Sequence, residues 1–176
     1  TAFVFGEGER ETEPEQYQVE DDRRERRFRV EKHEDEIQRA FHELLTSQEH
    51  ESRFSSYHNV SDDDHDWNHR VVLRHLMNAV RTRDRGVLAA YSRDLAERRF
   101  EQGFKPEELC GALEALNLVC WRVLRRDPES KGMREAIFDY VTSTLRSGCD
   151  QAQEVFELAE ARRLRAARTS ASGRAP

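Results

Sequence analysis

Four side chains in the segment Ser61-Asp-Asp-Asp-His-Asp-Trp-Asn-His69 are of types that could work together chemically. His65 and His69 stand four apart, a spacing that puts two imidazoles on one face of a helix. Transition ions such as zinc take imidazole nitrogens and carboxylate oxygens as ligands. Asp62 and Asp66 offer carboxylates at the same place, so Asp62, His65, Asp66 and His69 form a candidate metal site. The same residues also read as a helix start, because Ser and Asp cap helices and acids suit the positive end of the helix dipole. No closed set of four ligands is visible. A carboxylate-bridged di-metal bundle would show Glu-x-x-His on two helices, and no Glu stands three residues before any of the seven histidines.

Other chemistries have weaker footholds. The chain has no G-x-S-x-G, no phosphate-binding loop and no dinucleotide fingerprint. A haem would need an axial histidine on an apolar face. His42, beside Phe41, and His75, between Leu73 and Leu76, are so placed, and each has the plainer reading of a helix-surface residue. Asn117 and Trp121 are four apart, and with Tyr91 they could line a small-ligand pocket inside a bundle. The alternative is that Trp121 is core and Asn117 bonds locally. Cys110, Cys120 and Cys149 cannot all pair, show no CxxC spacing and lie in apolar stretches, so they read as buried thiols of a reducing compartment. No residue set demands catalysis and no cofactor is expected; the alternative to a non-enzymatic module is a metal- or small-ligand-binding bundle serving as an enzyme subunit.

The elements that would position these residues are helical. Ile37, Phe41, Leu44 and Leu45 recur at three-to-four spacing within a first helix, about 32–47. A polar loop, 48–64, leads to a second helix, about 65–82, with Trp67, Val71, Leu73, Leu76, Met77 and Val80 on its apolar side. A third spans about 87–102 and ends at Gly103, a residue suited to a left-handed C-cap. Pro106, with Glu107 and Glu108 behind it, opens a fourth that runs to Arg126. Most of Leu109–Leu124 is apolar, so this helix is expected to be buried on several sides. The fifth starts near Ser130 and keeps one apolar face from Met133 to Ala159. The fold expected is all-α: an antiparallel bundle of about five helices, with a charged N-terminal extension and a long C-terminal helix.

Composition sets the outer limits. The 176 residues carry 35 acids against 29 bases, a net charge of −6, and a mean hydropathy of −0.93. Net acidity argues against nucleic acid as the main partner. The Arg clusters at 122–126 and 162–168 suit the negative ends of helix dipoles and lack interleaved aromatics. No stretch approaches the roughly 20 apolar residues of a membrane span, and no secretory signal opens the chain, so a cytoplasmic location is expected. Two thirds of 7–36 is charged, which places residues 1–31 as an extension or linker, possible helix near Glu20 aside. The bundle proper is assigned to 32–160. Residues 161–176 are basic and then Ser/Ala/Gly-rich, and read as a tail.

A family resemblance emerges around the third and fourth helices. The run Tyr91-Ser-Arg-Asp-Leu-Ala-Glu-Arg-Arg-Phe-Glu-Gln-Gly-Phe-Lys-Pro-Glu-Glu-Leu109, then Ala112-Leu-Glu-Ala-Leu116 and Trp121-Arg-Val-Leu124, resembles the N-terminal sensory domain of RsbR-type stressosome proteins, and more closely its RsbRD-type variety. In such domains an Arg-x-x-x-Gly, here Arg99 and Gly103, precedes a short turn and a long apolar helix with a Trp. The resemblance spans about 67–156. It implies a non-enzymatic bacterial input domain that dimerises and passes a signal through its last helix to an output domain or signalling partner. It carries over no catalytic residues, and the Arg-rich stretch before Lys32 departs from it. The stripe Leu145, Gly148, Ala152, Val155, Phe156 and Ala159 outlasts the shorter helices, and is therefore the expected homodimer interface.

Overall fold

A computed structural model describes residues 33–172. The expectations for 1–31, and for the last four residues of the tail, lie outside that range. Among the described residues five α-helices run in the order α1 (Glu34–Thr46), α2 (Asp62–Thr82), α3 (Gly86–Glu101), α4 (Pro106–Arg126) and α5 (Arg134–Ser172). Single 3-10 turns at Gln48–His50, Tyr57–Asn59 and Pro128–Ser130 lie in the connections. No strand occurs among the described residues, and the fold is the antiparallel helical bundle expected.

Helix α4 is the axis of the core. Its buried residues include Leu109, Leu113, Leu116, Val119, Val123 and Leu124, which point to more than one side of the helix. It packs against α1 on one side and α5 on the other, while α5 makes its most extensive contact with α3. Leu113, Leu116, Val123, Ile137, Val141 and Leu145 are all buried, as the apolar spacing of the two helices requires. Helix α2 begins where the sequence placed its caps, with the Ser61 hydroxyl accepting from the Asp64 amide. Gly103 has φ +83° and closes α3 in the left-handed region.

Four expectations need correction. Trp67 is 68% exposed. The inward face of α2 is set by His65, His69, Val72, Leu73, Leu76, Ala79 and Val80, and a residue two beyond His65 points about 200° away from it. The stripe expected to join two copies is an intramolecular seam. Leu145, Gly148, Ala152, Val155 and Phe156 are buried by the chain's own helices, and Ala159 is half-buried. Gly148 sits under α3, where an added Cβ would meet the Ser92 hydroxyl at 2.7 Å, and Phe156 lies edge-on to Phe100. Residues 161–172, expected as tail, continue α5, since Ala, Arg and Leu favour helix and no Gly or Pro intervenes before Gly173. Finally, Cys110 of α4 and Cys149 of α5 form a disulfide, with Cα atoms 5.1 Å apart. Sequence spacing could not reveal this, because the two residues meet across helices. Cys120 alone remains a thiol, and burial pushes its pKa up to about 12.

Leu116 is fully covered, and Leu116→Ala should lower the free energy of unfolding in urea by about 2–5 kcal/mol; an unchanged midpoint would show that α4 is not the axis. The Cys110–Cys149 bridge closes a separation of 39 residues. Its loss in Cys110→Ser/Cys149→Ser should cost about 4 kcal/mol on the chain-entropy estimate, read as a lower melting temperature. Non-reducing mass spectrometry should find the unmutated chain two hydrogens lighter than its reduced form.

Candidate functional site

The inward face of α1 and the first turns of α2 bring three histidines together. Phe41 and Leu45 hold α1 against the core and carry His42 with them. His65 and His69 share the buried face of α2, at 1% and 4% exposure. The rings stand 5.3 Å apart for His65–His69, 5.7 Å for His42–His69 and 5.8 Å for His42–His65. One ligand nitrogen from each lies within 4.8 Å of the others. Phe41 covers His69 from the side, with ring centroids 4.6 Å apart.

A built framework surrounds the cluster. The His65 Nε2 lies 2.6 Å from the Tyr57 carbonyl. A carbonyl only accepts, so this nitrogen carries the proton and the His65 Nδ1 keeps its lone pair. Tyr57 itself is buried in the 3-10 turn and packs edge-on against Phe104, with centroids 4.9 Å apart. The Arg99 guanidinium lies over the Phe104 ring at 4.5 Å and over Tyr57 at 5.5 Å, and donates to the Gln102 side chain. The loop bearing Tyr57 is fastened by Glu108, at the head of α4. One carboxylate accepts from the Ser56 amide at 2.8 Å, the Ser56 hydroxyl at 2.7 Å, the Ser55 hydroxyl at 3.2 Å and the Lys105 amide at 3.0 Å.

The cluster is electrostatically unusual. Burial, then the neighbouring His65, His42 and Arg99, pulls the His69 pKa down to about 3. Burial also lowers His65, and its hydrogen bond to Tyr57 only partly opposes this. Both rings are therefore neutral near pH 7. The Nδ1 atoms of His42, His65 and His69, together with the His69 Nε2, are buried without a hydrogen-bond partner among the described residues. An unsatisfied buried polar group costs about 1–3 kcal/mol, so an arrangement with several needs an explanation.

The structure divides the residues expected as one metal set. His65 and His69 turn inward, but Asp62 is exposed at the first turn and Asp66 pairs with Arg70 at 3.4 Å. Asp66 follows His65 by one residue, about 100° round the helix, which takes it off the buried face. His42 replaces the two carboxylates. Its position beside Phe41 was legible, but the meeting of α1 with α2 was not. The expected ligand-pocket residues are likewise separated. The Tyr91 hydroxyl donates to Asn68 and its ring lies beside His75. Asn117 accepts from the Thr142 hydroxyl and lines a cavity of about 170 Å³ next to Cys110 and Cys149. Trp121 lies tilted against Phe138, with ring centroids 4.4 Å apart, and does not line that cavity. Tyr91 contacts α2, whereas Asn117 and Trp121 contact α5.

Glu108 gives a prediction of sign and window. Burial alone would raise its pKa, but the hydrogen bonds from Ser56, Lys105 and Ser55 outweigh it and hold the carboxyl below its usual range. A depressed carboxyl pKa stabilises the fold above the unfolded value, about 4.3, and that stability is lost as pH falls through the folded value. Glu108→Gln should therefore be less stable than the unmutated chain at pH 7, by about 1.5–3 kcal/mol. The gap should narrow below pH 4; a constant gap from pH 7 to pH 3 would contradict the assignment.

No curated protein and no solved structure matches the chain. A family match covers residues 35–174, from the first turn of α1 to beyond the end of α5. The Arg99-x-x-x-Gly103 pattern, the short turn and the buried Trp-bearing helix thus belong to a defined bundle, and the chain is a member of the family described as the RsbT co-antagonist protein rsbRD N-terminal domain.

Proposed function

We propose that this stress-signalling sensory domain is a non-enzymatic input module that works as a homodimer and sends its signal out along α5. The family is one of signalling domains and is not a known enzyme family. The observation that carries the reading is the length of α5. At 1.5 Å per residue its 39 residues extend about 58 Å, against about 32 Å for the 21 residues of α4. Its first part is a seam of the core. From Glu160 onward every residue with a described side chain is exposed except Ala161, yet the helix continues.

Leu158, just before this overhanging part, and Leu164 on it are 46% and 53% exposed. Beneath it lies an open groove of about 790 Å³, bounded by Phe100, Phe104, Pro106, Phe156 and Leu164. Large apolar side chains in such a place favour contact with another protein surface. Pairing of two overhangs about a two-fold axis would cover Leu158 and Leu164 and leave the intramolecular seam intact. A small displacement of α3 against α5, at the close approach of Ser92 and Gly148, would then be passed along a rigid rod to a protein partner.

No described helix is long and apolar enough to cross a membrane, and we place the domain in the cytoplasm. Cytosolic disulfides are mostly transient or redox-sensing, so the Cys110–Cys149 bridge would there respond to the redox state of the cell.

Light scattering should find a dimer at micromolar concentration. Leu158→Asp/Leu164→Asp should give a monomer with an unchanged far-UV spectrum, because a carboxylate is not buried unpaired without large cost. A monomeric unmutated chain at high concentration would overturn the dimer.

A further inference from the structure

We propose that His42, His65 and His69 form a three-histidine site for a divalent transition-metal ion of the zinc class, with the fourth position taken by water or a small anion. The inference goes beyond signalling through α5 and stands whether or not the domain dimerises.

Three independent features point to it. The first is geometry. The three ligand nitrogens lie within 4.8 Å of one another. A tetrahedral zinc ion with bonds of about 2.0–2.1 Å needs its ligand atoms roughly 3.4 Å apart. Small rotations of imidazoles about their side-chain bonds close that difference without moving a helix. The second is the pattern of unsatisfied atoms. His69 has neither ring nitrogen partnered at 4% exposure, and the Nδ1 atoms of His42 and His65 are also buried without partners. Three histidines placed only for packing would be better replaced by apolar rings. One ion coordinated by all three would satisfy three lone pairs at once.

The third feature is orientation. A metal-bound histidine commonly donates its other ring N–H to a backbone carbonyl or carboxylate, which fixes the tautomer. His65 does this to the Tyr57 carbonyl at 2.6 Å, which leaves the lone pair of its buried Nδ1 available. The Tyr57 turn is itself pinned by Glu108, so this orientation is a built one. Burial keeps His65 and His69 neutral, the state that ligates.

The chemistry of the donor set narrows the ion. Three imidazoles without carboxylate suit zinc, copper, nickel or iron rather than calcium or magnesium. Three protein ligands leave a tetrahedral ion one position for an exchangeable group. Arg99 is close enough to depress both His65 and His69. Its cation opposes a bare dication, but it favours an anion such as hydroxide or chloride at the fourth position.

The test uses the untagged 176-residue chain, stripped with a chelator and titrated with zinc chloride and separately with cobalt chloride. One zinc per chain should bind, and a hundredfold excess over the dissociation constant should raise the melting temperature by about 5–10 °C. Cobalt should give the intense visible bands of a four-coordinate ion. His69→Phe replaces the imidazole with an apolar ring and should fold at least as well without metal, yet lose the zinc-dependent shift and at least tenfold in affinity. His42→Phe should behave in the same way, and Asp62→Asn/Asp66→Asn should bind as the unmutated chain does. Zinc bound equally by His69→Phe would assign it to the remaining histidines and overturn the site, as would the absence of stoichiometric binding.

Discussion

The Glu108 carboxylate is the constraint on which the rest of the molecule depends. It sits at the first turn of the central helix and holds two consecutive serines of the 47–61 connection by both oxygens. That fastening turns a polar-looking loop into a wall of the core, with Phe54 and Tyr57 buried at 0% and 4% exposure. Gly111, one turn further along α4, lets the loop come this close, because a Cβ there would meet Phe54 and Arg53 at 3.3 Å. The Tyr57 carbonyl then orients His65. One charge-assisted cluster of hydrogen bonds thus transmits order from the central helix to the histidines.

Arg99 belongs to the same construction. A buried guanidinium is costly without compensation, and this one is compensated by the faces of two aromatic rings and by Gln102. Four residues on, Gly103 turns the chain toward Lys105, the extended residue that precedes α4. The Arg-x-x-x-Gly pattern therefore has a physical meaning in this bundle. The arginine plugs the space between the α3–α4 turn and the Tyr57 loop, and the glycine makes that turn possible.

The two ends of α5 do different work. Between Ile137 and Phe156 its apolar residues are shared with α3 and α4, and the Cys110–Cys149 bridge ties it to α4 midway. Beyond Glu160 it carries four arginines, Leu164 and otherwise small residues. In the signalling role proposed above, a rod clamped along about two thirds of its length and exposed along the last third would carry small shifts inside the clamp to its tip. Rigid helices coupled to a close-packed core are the usual carriers of such motion.

By itself the sequence determined the helices and the central place of α4. Their apolar residues recur at a period that only a helix satisfies, and a helix apolar on several sides has to be surrounded. It also determined the caps at Ser61 and Gly103, which are local. Only the tertiary structure decided which residues meet across elements. His42 joined His65 and His69 while Asp62 and Asp66 stayed in solvent. Cys110 found Cys149, Phe156 was covered by Phe100, and Trp67 was left outside. Spacing along one helix fixes which residues share a face, but it carries no information about what that face will touch. That is settled by how five helices of unequal length and a pinned loop pack around one axis, with every buried face competing for the same space.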